Sequence, residues 1–264
     1  MVGGKKQNSV SRLYLLAVFF FLYAPIGVLI VFSFNKLRST SAWGGFSFRW
    51  YFEMFRDRQI LKALYYTLTI ALLSSLISAV AGTLSAVGIH RMRPAVRRIV
   101  LEVNNIPVLN PDIVTGVSLM ALFTALRIHL GFITVLLSHI TFSIPYVVLC
   151  ILPKLREIPR EVTEAAMDLG ATPVYTFFHV IIPEISSGIL TGFLIAFTLS
   201  VDDFVISFFT TGSGVNNLSI VVYSMARRGI NPKINAVSTL LFLTVFILLI
   251  IINHRDSTIK KLEV

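Results

Sequence analysis

Apolar residues in this chain fall into blocks separated by short polar and basic links. Six blocks stand out, at Leu13–Phe34, Leu64–Ile89, Ile99–Leu126, Leu130–Leu152, Ile185–Thr210 and Ile234–Asn253. Each reaches the roughly 20 residues that a helix needs to cross about 30 Å of hydrocarbon. Backbone groups at that depth must pair within their own segment. The pattern therefore predicts an all-α, polytopic membrane protein with six transmembrane helices. The first block follows Lys5, Lys6 and Arg12, as a secretion signal would. It is longer than the roughly 7–15 apolar residues of a signal peptide, and no small-residue cleavage pattern follows it. It is expected to remain as an uncleaved first span.

Six spans put both ends on one side of the membrane. That side receives 13 of the 23 Lys and Arg residues, including Arg91, Arg93, Arg97 and Arg98 after the second span and Lys154, Arg156 and Arg160 after the fourth. Basic residues concentrate on the cytoplasmic side, so the N- and C-termini are expected there. The other side carries a long loop, 35–62, with Trp43, Phe46, Phe48 and Trp50. Such aromatics suit the membrane interface. Beyond a turn-rich stretch, Gly212–Asn217, the segment Leu218–Ala226 is too short to span and reads as re-entrant or interfacial.

Composition agrees with this pattern. The chain is 55% hydrophobic and only 14% charged, against about 25% charged in soluble domains. Its net charge of +10 is carried by the links. No basic stripe interleaved with aromatics is present, so nucleic acid is not an expected partner, and membrane lipid is. Cys150, the single cysteine, can form no intrachain disulfide. No polar stretch exceeds about 30 residues, too few for an independent soluble core.

The link 153–184, PKLREIPREVTEAAMDLGATPVYTFFHVIIPE, is the most informative. Pro159 suits the first turn of a helix. That helix would run to Leu169, with Gly170 in a left-handed position after it. Thr172 can cap a second helix with Pro173 at its first position, and Pro183 ends or kinks that piece. On the first helix Glu161, Glu164 and Asp168 share one face. Ala165, Ala166 and Leu169 form a small, partly apolar face that would let a partner approach closely.

Glu164-Ala165-Ala166, then three residues, Gly170, nine more, and Val180-x-Ile182-Pro183 resemble the EAA loop of ABC importer permeases. Val180 and Ile182 depart mildly from the Ile and Leu of the family pattern. The resemblance implies a type I ABC importer permease fold. It also implies that this loop is the coupling helix, docked in a cleft of a cytoplasmic ATPase through Glu164, Ala165, Ala166, Asp168, Gly170 and Pro183. Residues 1–60 would then hold the N-terminal tail, the first span and the start of the external loop. Residues 61–254 would form the permease core of five spans, and residues 255–264 a cytoplasmic tail.

Acids inside spans are costly and point to function. Asp112 lies near the middle of the third block, which Pro107 and Pro111 interrupt, and broken helices often line transport paths. Asp202 and Asp203 lie in the fifth. Adjacent carboxylates repel unless a cation or a proton relieves them. Each could instead pair with an arginine, bond a helix end or face a partner subunit. Carboxylates with aromatics suit an organic cation, and Tyr146, Tyr223 and Phe204 are candidate aromatic partners. The stretches PDIVTGVSLMALF, GFITVLLSHITFSIPYVV, TEAAMDLGA, FTLSVDDFVISFFTTG and YSMARRGINPKINA resemble the spermidine/putrescine permeases. That resemblance implies a heterodimer with a second homologous permease subunit, two copies of the ATPase, and an extracytoplasmic binding protein that delivers polyamine. The external segments are net basic and would not attract a polycation by themselves, whereas delivery by a receptor bypasses that barrier. Iron, thiamine or phosphonate are the alternative cargoes of related permeases.

Other function classes find less support. The sequence has no P-loop, H-E-x-x-H, G-x-S-x-G or clustered Cys/His ligands. His90, His129, His139, His179 and His254 are dispersed. No catalytic residue, metal site or cofactor is expected in this chain, with ATP and magnesium held by the partner ATPase. A channel or carrier working alone would need no docking loop.

Overall fold

The ring of a proline pushes the preceding residue out of the helical region, and four helix boundaries here follow that rule. Arg93, Asn110, Ile158 and Thr172 each precede a proline and have ψ of 145°, 144°, 117° and 155°. The computed structural model describes residues 9–38, 42–227 and 232–262. Lys5, Lys6 and Arg228 lie outside these, and the side chains of the assigned tail 255–264 lie outside the description as well. The helices are α1 (Ser9–Ser33), α2 (Arg49–Arg56), α3 (Arg58–Arg91), α4 (Pro94–Leu109), α5 (Asp112–Ala125), α6 (Phe132–Glu157), α7 (Arg160–Asp168) and α8 (Pro173–Thr176). A π-helix (Phe177–Ile181) follows, then α9 (Ile182–Glu184), α10 (Ser186–Asp202), α11 (Val205–Thr210), α12 (Leu218–Arg227) and α13 (Pro232–Leu262). Among the described residues the only extended pairing is the bridge between Asn35 and Phe46.

Among the described residues three helices are long and apolar enough to span by themselves: α1, α3 and α6. The expected third span is not straight, since α4 and α5 meet at 103° across Asn110 and Pro111. Asp112 therefore opens a new helix rather than sitting in the middle of one. The fifth span is also broken. Pro173–Glu184 meets α10 at 69°, and α10 stops at Asp202 before α11 starts at Val205. Among the described residues, length and composition thus give three spans formed by single helices, or up to five with each bent pair counted as one. The sixth candidate lies in α13, whose described apolar part is Pro232–Ile247.

The chain forms two units, 1–61 with 222–244, and 62–221 with 245–264. In the first, Trp50 is buried and its Nε1–H donates to the Asn35 carbonyl at 2.6 Å. Trp50 is thus a core residue of the 35–62 segment, not an interfacial anchor. Trp43, Phe46 and Phe48 are exposed, and the rings of Phe34, Phe46, Phe48 and Tyr51 cluster, with Phe34 stacked on Phe46 and the other pairs edge-on or tilted. On α2, the Arg49 hydrogen bond lowers the pKa of the half-buried Glu53 carboxyl, and Lys233 pairs with Asp57 at 3.2 Å.

The second unit is organised around α6. Val147, Val148, Ile151, Leu152 and Leu155 pack with Ala86 and Ile89 of α3, with Ile181 and Ile185, and with Ala196 of α10. Lipid tails are as apolar as leucine, so close approach and dispersion hold such helices together. α10 permits that approach with buried Gly188, Gly192, Ala196 and Ser200, a small residue at every fourth position. A Cβ at Gly192 would lie 3.2 Å from the Val147 Cα.

Candidate functional site

α5 starts where Pro111 forces the chain out of α4, so Asp112 falls in its first turn. A carboxylate there is favoured by the helix dipole and by free N–H groups. Asp202 occupies the last turn of α10, where the dipole disfavours it. Asp203 then leaves the helical region, with ψ of 126°. Its Oδ1 accepts the Ile206 N–H at 3.2 Å and its Oδ2 the Ser207 N–H at 2.8 Å. Two otherwise unpaired amides of α11 are thereby satisfied. The Asn217 amide donates to the Asp203 carbonyl at 3.2 Å, and Asn217 in turn caps α12 by accepting from the Ile220 N–H at 3.0 Å. No proline is needed for this break, because side chains satisfy its backbone.

α11 packs against α5 and α6, which brings the three acids to one place. Asp112, Asp202 and Asp203 line a pocket of about 200 Å3 together with Phe142 and Tyr146 of α6 and Thr198 of α10. Four of the six candidate residues, Asp112, Asp202, Asp203 and Tyr146, thus share one cavity. Its described lining contains no Lys or Arg. Tyr223 is not in that set. It lies on α12 in the first unit, with the Arg227 guanidinium 5.8 Å from its ring. Phe204 stands before α11 and packs on Phe208, ring centroids 5.5 Å apart.

The adjacent acids, alike in sequence, have different surroundings. Asp202 is exposed. The Asp203 side chain is only 7% exposed, and its Oδ2 lies 3.4 Å from Nε2 of His139. Of the alternatives open for Asp203, bonding a helix end is the one the geometry bears out. His139 was only one of five scattered histidines in the sequence. Here it is buried, with Nδ1 2.5 Å from Ser200 Oγ and Nε2 2.9 Å from Ser207 Oγ. Ser74 of α3 donates to Ser200 at 3.2 Å. The available signal was a histidine and several serines inside apolar blocks, but their partners lie 61 and 68 residues apart.

The loop 153–184 adopts the expected helix–turn–helix, with small shifts. α6 continues through Pro153 to Glu157, and Pro159 is the cap before α7 rather than part of its first turn. Gly170 has φ of +90°. The Thr172 hydroxyl accepts the Tyr175 N–H at 3.2 Å. Pro183 cannot donate, and its ring would crowd the His179 carbonyl in a regular helix. The chain widens there into the π-helix. Glu164, Ala165, Asp168, Gly170 and Pro183 are exposed and Ala166 is half-buried. Leu169 is 90% exposed, beside a groove of about 500 Å3 formed with Ala166, Gly170, Ala171, Thr172 and Tyr175. Among the described residues no three or more His, Cys, Asp or Glu side chains converge as metal ligands would.

Comparison with known proteins follows this geometry closely. Residues 78–254 match the family described as binding-protein-dependent transport system inner membrane component. The chain is 42% identical over 234 residues to the putrescine transport system permease protein PotI of Escherichia coli (strain K12), covering 86% of this chain and 83% of the relative. It is 36% identical over 247 residues to the spermidine/putrescine transport system permease protein PotC of the same strain, covering 93% and 94%. In structure it is similar to a chain of a bacterial ABC transporter involved in the import of alginate, with a TM-score of 0.71 and 16% identity over 96% of this chain and 94% of that one. A chain of the MetNI methionine ABC transporter gives 0.63 and 21% over 75% and 94%. These likenesses establish the type I importer permease fold. Family match, relatives and apolar helices together make this a multi-pass inner-membrane protein, and the chain belongs to the inner-membrane components of binding-protein-dependent transport systems.

Proposed function

We propose that this chain is one permease subunit of an ATP-driven importer of polyamines. The observation that carries this reading is its 42% identity, along 86% of the chain, to a putrescine permease. The pocket lined by Asp112, Asp202 and Asp203 supports it chemically, since carboxylates beside Phe142 and Tyr146 suit an ammonium group. In this reading the chain makes no bond itself. It pairs with a second homologous permease subunit, and a binding protein delivers the polyamine from outside. Two copies of an ATPase hold ATP and magnesium on the cytoplasmic side, where the N- and C-termini also lie. Glu164, Ala165, Ala166, Asp168 and Gly170 present α7 to the ATPase, and the exposed Leu169 supports such a dock. Closure of the ATPases moves α7, and α8 with the π-helix carries that motion to α10.

The test is uptake of labelled putrescine and spermidine by the assembled transporter, with iron, thiamine and phosphonate as competitors. Saturable polyamine uptake that needs ATP supports the reading. Uptake without the ATPase, or competition by one of the other cargoes alone, refutes it.

The coupling role has its own expected result. Gly170 sits at a φ that a β-branched residue adopts only with strain. Gly170→Val should lower uptake at least about tenfold while the assembled complex still hydrolyses ATP, because a strain of roughly 1–3 kcal/mol reorients α7. Normal coupled uptake in this variant would remove Gly170 from the coupling loop.

A further inference from the structure

Four buried side chains outside the pocket form a continuous chain behind it. Ser74 Oγ donates to Ser200 Oγ at 3.2 Å, and Ser200 Oγ lies 2.5 Å from Nδ1 of His139. Nε2 of His139 lies 2.9 Å from Ser207 Oγ and 3.4 Å from Asp203 Oδ2. Ser74, Ser200, Ser207 and His139 are each 2% exposed or less. A carboxylate can only accept, so the imidazole tautomer that serves Asp203 carries its proton on Nε2, toward Ser207 and Asp203, and its Nδ1 then accepts from the Ser200 hydroxyl. Ser200 is in the last turn of α10, Ser207 in the first turn of α11, and the break between them carries the two adjacent acids. His139 is on α6, the helix both pieces pack against. A single ring therefore ties together both sides of the break.

We propose that His139 is a positioning residue for transport: it locks the α10–α11 junction so that Asp203 holds the α11 amides and leaves Asp202 and Asp112 to meet the cargo. This rests on the reading of the pocket as part of the cargo path. The lock explains why neighbouring acids differ so sharply in exposure. Without His139, Asp203 loses the imidazole beside its Oδ2, Ser207 loses the ring nitrogen at its hydroxyl, and α11 is free to turn about Phe204. The acids then sample many positions. Binding suffers more than turnover, because the movements that drive transport begin at α7, far along the chain.

Uptake kinetics of the complete transporter test this, with the amount of assembled complex measured in each variant. His139→Leu is expected to raise the KM for putrescine about tenfold with maximal rate per complex nearly unchanged. Asp203→Asn should do the same, and the double variant should be no worse than the worse single one, since both remove one interaction. His139→Gln keeps an N–H near the Nε2 position and should stay within about threefold of wild type, whereas His139→Asn, which reaches only the Nδ1 side, should not. That pair decides the matter should the leucine variant fail to assemble. Equal KM values for the Gln and Asn variants, an unchanged KM in His139→Leu, or multiplying losses in the double variant would each overturn the proposal. Amide hydrogen exchange over residues 203–211 of the assembled, substrate-free transporter gives a readout that holds for any cargo. His139→Leu should remove protection at Ile206 and Ser207, and full protection would overturn the lock even were the polyamine reading wrong.

Discussion

An Asp202→Asn transporter is expected to need at least about 30-fold more polyamine for half-maximal uptake, while its complex assembles normally and still hydrolyses ATP. Hydrogen bonds to a charged group are worth roughly 1.5–3 kcal/mol, which converts to about 10- to 150-fold in affinity. Asp202 is placed to give the upper part of that range. It is exposed to the pocket and has no capping role. It also stands in the last turn of α10, where the helix dipole opposes a negative charge. A cation in the pocket relieves that opposition, so the carboxylate is more favourable with cargo than without it. Asparagine keeps the shape and removes the charge. Asp112 is the internal control. The first turn of α5 already stabilises its carboxylate, so Asp112→Asn should raise KM by a smaller factor. Initial rates across a range of putrescine and spermidine concentrations measure both. An unchanged KM in Asp202→Asn removes it from the pathway, and a larger effect at Asp112 reverses the assignment of the two roles.

Four helix starts of this chain are legible in its sequence because prolines write them. Pro94, Pro111, Pro159 and Pro173 each forbid a helical conformation in the residue before, and the helices begin at or just after them. The turn at Gly170 and the cap at Thr172 are local, so the folded loop 153–184 follows from its residues alone, with Pro159 displaced by a single position. The break at Asp203 is different. Its apolar flanks read as one continuous span, and its stability comes from Ser207, Asn217 and His139, which no local pattern connects. Bends are likewise invisible to hydropathy: the block from Ile99 to Leu126 reads as one span despite its Asn and acidic residues, yet it turns by 103° in the middle.

The candidate site was legible by residue type and not by arrangement. Costly acids in apolar blocks point to Asp112, Asp202 and Asp203, and all three line one pocket with Tyr146. What sequence could not separate is the pair. Two adjacent aspartates look equivalent, but one ends a helix and faces the cavity while the other turns inward to begin the next. Tyr223 shows the opposite limit. An aromatic was plausible at that position on chemistry alone, and the fold puts it in the first unit beside Arg227.

Gly192→Leu should leave almost no assembled transporter in the membrane. α6 and α10 pack closely within the second unit. Gly192 is buried there, with the Val147 Cα, Cγ1 and Cβ 3.2, 3.2 and 3.5 Å from where its Cβ would be. One of those three atoms is backbone, so a rotamer change alone cannot clear it. Leucine adds three more carbons beyond that point. Overpacking a tight interior costs about 1–3 kcal/mol or more, a large fraction of the typical stability of about 5–15 kcal/mol. The same displacement would separate Ser200, two turns further along α10, from His139 and so disturb the acid pocket. Gly192→Ala needs a shift of only a few tenths of an ångström and should give a functional but less heat-resistant complex. Val147→Ala shortens the opposing side chain and should restore part of that loss in the double variant. Immunodetection of the complex in membranes and its aggregation temperature in detergent measure these effects. Normal levels of Gly192→Leu, or a double variant weaker than both singles together, would show that α6 and α10 do not meet at this distance.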